Sequence, residues 1–240
     1  MVITNIRAEH ARDIAMLHIE GIRTGFISSL GVNFVASLYK AIAQTESSFG
    51  FIVEEDGSIL GFVALCTNLN RLYKSVLLRH AHTLPVLLAG KIFSFRQLRN
   101  TLETLFYPRR TKKMDLPSAE LLSIVVAEKE RRKGLATDLI QKSFAECSLR
   151  AIEQVKVLVG ASNRPANRLY IKCGFKVADQ INSHGVLSNI YIAQTHSVLK
   201  KLAAEELVLP EKRRPAKPEI IAVPGKGVTD DRIQAKTTDE

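Results

Sequence analysis

The sequence predicts a mixed α/β domain, a central sheet with helices on its faces. Three observations carry this. Apolar positions recur at helical spacing in several segments, the first being Ala11, Ile14, Leu17, His18 and Ile22. Short β-branched runs such as Ser123-Ile124-Val125-Val126 alternate with those segments. Asp56-Gly57 separates two apolar runs, a hairpin signal because both turn residues take positive φ.

The elements follow in order. Residues 2–7 alternate apolar and polar, as a short strand does. Residues 10–21 form the first helix, and a break at Gly25-Phe26 leads to a second over 31–43, with Phe34, Leu38 and Ile42 on one stripe. Phe51-Ile52-Val53 and residues 59–65 flank the Asp-Gly turn. Residues 72–89 are apolar and helix-like, broken by Pro85; Phe95, Leu98, Leu102 and Leu105 form another helical stripe, which Pro108 and Pro117 end. Glu120–Val126 is a strand, 127–133 a loop, 134–150 a helix and 155–159 a strand. Residues 165–173 form a helix with proline in its first turn, where the missing N–H costs nothing, and Gly174 as its C′ residue. Residues 175–177 and 189–193 are the final strands. The order is β-α-α-β-β-(helical insert)-β-α-β-α-β-β.

The charge is uneven. The 240 residues carry 34 Lys and Arg against 24 Asp and Glu, a formal +10. Residues 68–118 hold ten of the cations against Glu103 and Asp115, a local +8. That field suits an anionic partner: a phosphorylated substrate, an anionic lipid surface or RNA. The chain has no tryptophan and few aromatics, which argues against a nucleic-acid module built on stacking. Cys66, Cys147 and Cys173 are odd in number and far apart, which excludes a disulfide scaffold or a CxxC knuckle and fits free thiols in a reducing compartment. With no basic segment leading an apolar run at the N-terminus, and no uncharged apolar run of roughly 20 residues, the expected location is cytoplasmic. Pro210, Pro215, Pro218 and Pro224 interrupt a polar C-terminal stretch, so 205–240 is predicted to be a disordered tail. The plan is one domain over 1–204, with the basic insert at 68–118.

The segment with most chemical content is a strand, a short loop and Arg131-x-x-Gly134-x-Ala136 opening a helix. A helix N-terminus offers unpaired N–H groups and partial positive charge, which phosphate oxygens satisfy. A Cβ at position 134 is expected to obstruct that approach, while Arg131, Arg132 and Lys133 add cationic donors. Taken alone, the pattern also fits a plain helix start under a basic turn. Glu128 and Glu130 read as solvated loop residues. His10, His18, His80, His82 and His196 show no metal-ligand spacing, so no metal is expected.

Residues 3–200 resemble the GNAT superfamily of acyl-CoA-dependent N-acyltransferases. Arg131, Gly134 and Ala136 match its Q/R-x-x-G-x-G/A element, with alanine in place of the commoner last glycine. Asn163, Ala166, Tyr170, Gly174 and Phe175 match its N-x-x-A-x-x-x-Y-x-x-x-G-F element. The insert and the tail depart from the family. The resemblance implies a mostly antiparallel sheet with splayed parallel strands 4 and 5, and acetyl-CoA as acyl donor to a primary amine that attacks the thioester directly. It implies that the backbone of Arg131, Arg132, Lys133, Gly134, Leu135 and Ala136 binds the pyrophosphate, that an amide near Val126 holds the thioester carbonyl, and that Asn163, Ala166 and Asn167 add cofactor contacts. Tyr170 is then the acid for the departing thiolate, Glu120 a general base, and His184 a base or acceptor ligand. The expected acceptor is an amino sugar or other small amine. A protein or peptide N-acetyltransferase and a non-catalytic CoA-binding regulatory module are the alternatives. The insert suits the phosphates of a nucleotide-linked amino sugar, an anionic membrane surface, or a purely structural elaboration. A nucleic-acid partner fits the charge but not the site, and a homodimer is compatible with the reading.

Overall fold

The computed structural model describes residues 1–23, 25–79, 116–183 and 186–200. The larger part of the basic insert, the loop residue His184 and the tail over 205–240 lie outside the described residues. Seven strands form one sheet in the order β1-β2-β3-β4-β5-β7-β6. They are β1 (Val2–Asn5), β2 (Ser48–Glu55), β3 (Ser58–Cys66), β4 (Glu120–Val126), β5 (Gln154–Gly160), β6 (Lys176–Ser183) and β7 (Val186–Gln194). Every neighbouring pair is antiparallel except β4–β5, which is the mostly antiparallel architecture with a parallel fourth and fifth strand.

The local signals act as expected. Asp56 and Gly57 have φ of 49° and 74°, and Glu55 faces Ser58, so β2 and β3 are joined by a two-residue turn with both φ positive. Gly50 lies where β2 crosses close to its neighbours: an added Cβ would stand 2.4 Å from the Val63 carbonyl oxygen and 2.6 Å from Ile6 Cδ1.

The helices divide between the two faces. α1 (Ala11–Gly21), α2 (Phe26–Ser29), α3 (Val32–Gln44) and α4 (Leu69–Arg79) lie on one side. There Ile14, Ala15, Val35, Tyr39 and Ile42 pack on Ile52, Phe62 and Ala64. α5 (Leu135–Leu149) and α6 (Arg164–Lys172) cover the other, with Leu139, Ile140, Phe144 and Tyr170 on Phe51, Val63, Val157 and Tyr191. The alternation of side chains along β2 and β3 supplies both cores.

Two elements differ from the sequence reading. α2 is a single turn within a stretch read as loop. β6 and β7 are eight and nine residues long, longer than the apolar runs at 175–177 and 189–193 suggested. β6 is an edge strand rich in polar side chains (Asp179, Gln180, Asn182, Ser183), so half of its length carries no apolar signal. Of the insert, α4 is described; its Leu72 and Val76 are buried against the α1/α3 face. Among the described residues no helix is long and apolar enough to cross a membrane.

Candidate functional site

A fork in the sheet organises the site. β4 and β5 pair only at Glu120↔Lys156 and Leu121↔Val157. Beyond those pairs they part, leaving the facing edges of 122–126 and 158–160 without strand partners across the gap. A bulge in β4 lies at the vertex: Leu121 faces Leu65 and Ser123 faces Ala64, with Leu122 between them. The extra residue changes the side-chain alternation. Leu121 points to the α5 side, whereas Val125 packs with α1 and α3. The Ala127 N–H donates to the Leu60 carbonyl on the β3 side. Alternation therefore turns the N–H groups of Val126 and Ile124 into the fork. Val126 was expected from the sequence; Ile124 emerges from the register.

At the open end, β4 runs through a 3₁₀ turn (Glu128–Glu130) into the basic loop. Arg132 has φ 65°, and Gly134, the N-cap of α5, has φ 96°. Among the described residues, none of the N–H groups of Arg132, Lys133, Gly134, Leu135 and Ala136 meets a backbone acceptor; the first bonded amides of α5 are Thr137 and Asp138, both on the Gly134 carbonyl. Five consecutive free donors at the start of a fifteen-residue helix form an anion cradle. A Cβ at 134 would come no closer than 3.9 Å to any atom, the Asp138 carboxylate oxygen. The left-handed backbone selects glycine here, and no protein atom crowds the position. The cations also separate. Arg131 Nε donates to the Val126 carbonyl at 3.2 Å and ties the loop to the strand end. Lys133 is paired with Glu130 at 2.8 Å. Arg132 is exposed and has no ion pair among the described residues. Leu135 is buried in the α5 core, so only its backbone faces the cradle.

α6 forms the far wall. The Asn163 side chain caps it, accepting from the Ala166 N–H at 3.3 Å. The helix ends in a Schellman turn. The Phe175 N–H donates to the Tyr170 carbonyl, and the Gly174 N–H (φ 88°) to that of Ile171; the Phe175 ring packs edge-on against Tyr170 at 5.2 Å. Asn167 was expected to touch the cofactor. Its Nδ2 donates to the carbonyls of Gly160 and Asn163, and its Oδ1 accepts from Asn189 Nδ2 and Tyr191 Oη. All four bonds of the amide are used within the chain, so Asn167 is a knot joining β5, α6 and β7 instead of a free ligand. Tyr170 is buried among Phe175, Tyr191 and Cys173, and burial pushes its phenol up, so it stays protonated.

At the closed end, Glu120 is not the solvated edge residue that a strand start suggests. It is buried, with its carboxylate 3.6 Å from the equally buried Lys156 Nζ. Lys156 Nζ also donates to the Pro117 carbonyl. Cys66 faces Glu120 across β3–β4; burial, with the Glu120 charge nearby, pushes the Cys66 thiol up to about 11. About six strand rises of roughly 3.3 Å separate Glu120 from Val126, so these two groups stand some ~20 Å apart along β4.

Sequence reasoning missed one constellation. His18 Nδ1 lies 2.6 Å from Tyr39 Oη, which lies 2.8 Å from Ser123 Oγ. The only sequence signal was polar residues on otherwise apolar stripes. Burial lowers His18 to about 4, so the imidazole is neutral at pH 7.

The acetyltransferase (GNAT) family model matches residues 20–175. No curated protein matches the chain by sequence. Among solved structures, an N-acetyltransferase from Staphylococcus aureus Mu50 is similar at 17% identity and a TM-score of 0.53, over 81% of this chain and 98% of that one. A spermidine N-acetyltransferase chimera from Vibrio cholerae and hSSAT is similar at 15% identity and 0.51, over 82% and 97%. NAA60 from Arabidopsis thaliana in complex with acetyl-CoA is similar at 14% and 0.50, over 80% and 97%. At such identities the likeness speaks for the fold.

Proposed function

Because the chain belongs to the acetyltransferase (GNAT) family, we propose that it is an N-acetyltransferase that uses acetyl-CoA to acetylate a primary amine, an amino sugar or other small amine, by direct attack. Acetyl-CoA brings the activated acyl thioester. The observation that carries the reading is the joining of two features in one loop-strand unit: five free amides at the start of α5 and a fork whose edge amides point inward. The free amides of 132–136 and the Arg132 guanidinium bind the pyrophosphate. The N–H groups of Val126 and Ile124 face the thioester carbonyl and hold the negative charge that gathers on its oxygen; one such donor contributes about 10²–10³ in rate. Asn163 and Asn167 keep α6 against the end of β5, and so keep the Ala166 side of the helix in register with the cradle. Tyr170 gives its proton to the departing thiolate, a role suited to a phenol that burial holds protonated. Of the base candidates, His184 lies outside the described residues. Glu120 stands at the floor of the fork beside Lys156, so any proton it takes from the amine travels through water.

The test is free-CoA release with acetyl-CoA and a panel of glucosamine, spermidine, small alkylamines and N-terminal peptides. Turnover confined to peptides would replace the small-amine reading with a protein acceptor. CoA binding without turnover on any amine would leave a binding module. Tyr170→Phe should keep CoA affinity and lose at least tenfold in kcat; undiminished turnover would remove Tyr170 from the acid role.

A further inference from the structure

The proposed chemistry leaves a buried, titratable group with no task. His18 on α1, Tyr39 on α3 and Ser123 on β4 are 6%, 1% and 8% exposed. They join three elements through two short hydrogen bonds, 2.6 and 2.8 Å. The rings are fixed by a shared neighbour: Phe62 of β3 lies nearly parallel to the His18 ring at 6.3 Å and meets Tyr39 edge-on at 5.1 Å. The chain ends at Ser123, inside the stretch where β4 has left β5, and one residue from Ile124, whose N–H faces the fork. Ser123 is thus far nearer the oxyanion donors than Glu120 is.

The order of donors along this chain decides what it can do. A phenol is the stronger proton donor, and a neutral imidazole nitrogen the stronger acceptor. Tyr39 therefore donates to His18 Nδ1, with the ring proton on Nε2, and Ser123 donates to Tyr39. That order leaves the Ser123 lone pairs open as acceptors. The opposite order would make Ser123 a donor toward the fork. His18 is shifted by burial, and among the described residues the polar groups bonded to it are Tyr39 and, through it, Ser123.

We propose that Ser123, Tyr39 and His18 form a proton relay that takes the proton from the acceptor nitrogen during attack. This deepens the N-acetyltransferase reading and rests on it. The nitrogen gives its proton to Ser123 Oγ as the N–C bond forms. The Ser123 proton moves to Tyr39 Oη, the Tyr39 proton moves to His18 Nδ1, and the imidazole becomes a transient imidazolium. It returns the proton to solvent after the thiolate has left. Ser123 is the member that meets the substrate; Tyr39 and His18 act through it.

Two measurements on the full chain test this. The first needs no acceptor: ¹⁵N NMR of histidine-labelled protein should show His18 as the neutral Nε2–H tautomer, with an Nδ1 signal that moves in Tyr39→Phe. An Nδ1–H tautomer overturns the relay, because Ser123 would then point its proton the wrong way. The second uses the best amine of the panel. Ser123→Ala should lower kcat by about a hundredfold, within the usual range for proton transfer by a positioned group. The KM for acetyl-CoA should stay unchanged, and the deficit should shrink as pH rises and hydroxide takes the proton that the nitrogen sheds during attack. Ser123→Thr, which restores a hydroxyl, should recover most of the rate. Tyr39→Phe should reproduce the pH-dependent loss while retaining CoA affinity. Folded Ser123→Ala protein with wild-type kcat at neutral pH overturns the relay. If the wild-type chain releases CoA with no amine, the N-acetyltransferase reading fails and the relay's use fails with it, while the NMR result still decides the geometry.

Discussion

Lys156→Met isolates the buried pair at the vertex of the fork. Lys156 and Glu120 are 5% and 7% exposed, and the ammonium stands 3.6 Å from the carboxylate. Methionine keeps nearly the same length, so the substitution removes charge and leaves little void. Breaking one partner of such a pair leaves the other charge buried, at a cost of about 3–5 kcal/mol. The Pro117 carbonyl loses a donor too, for about 1 kcal/mol. Glu120 keeps a further interaction of its own, which favours the lower end, about 3 kcal/mol. In a domain of about 200 residues each kcal/mol moves Tm by about 2–4 °C, so the melt should fall by about 6–12 °C. Urea unfolding followed by circular dichroism gives the free energy, and Glu120→Gln with the double variant completes the cycle. Pairing predicts that the double variant recovers about half of the loss, a coupling of about 0.5–3 kcal/mol. A Lys156→Met protein within about 1 kcal/mol of wild type, or strictly additive single changes, would refute the pair as the lock on the fork.

Three further outcomes follow from the same geometry. Gly134→Ala places a side chain at φ 96°, a strain of about 1–2 kcal/mol; the loop relaxes and CoA binding by calorimetry should weaken about five- to thirtyfold. Gly50→Ala drives a Cβ to 2.4 Å from the Val63 carbonyl and should cost at least the ~1–3 kcal/mol of an overpacked core, read as a lower urea midpoint. His18 gives an acid signature. Its pKa is about 4 folded against 6.5 unfolded, so the unfolded chain binds the proton first. The His18 contribution is intact above pH 6.5 and is lost as pH falls toward 4, up to about 3 kcal/mol. His18→Gln should flatten that part of the stability–pH curve, and an unchanged slope would show that His18 is not held neutral.

What the sequence disclosed depended on how local the determinant was. Asp56-Gly57 and the end of α6 at Gly174 are each fixed within about six residues, and each forms as read. The turn at Arg131–Ala136 belongs to the same class: the helix start read there forms, with Gly134 in the left-handed backbone conformation. The bonds of Asn167 were not legible in the sequence, because two of its four partners, Asn189 and Tyr191, stand on a strand more than twenty residues away. β6 was cut short because an edge strand need not bury both faces.

The same distinction explains why the proton-taking group eluded a linear reading. His18, Tyr39 and Ser123 are separated by 21 and 84 positions, and each alone is an ordinary member of an apolar stripe. Their meeting depends on the β4 bulge. In an unbulged strand that kept Leu122, period-two alternation from Leu121 would send Ser123 to the α5 side with it, away from α1 and α3. The bulge thus does two things at one place: it turns Ser123 toward Tyr39, and it keeps Ile124 and Val126 aimed into the fork. Deleting Leu122 removes the bulge but leaves Ser123 directly after Leu121 and still opposite Ala64, so the folded variant should keep the His18–Tyr39 NMR signature. A folded deletion variant that lost that signature would show that the register of β4 does not hold Ser123 against Tyr39.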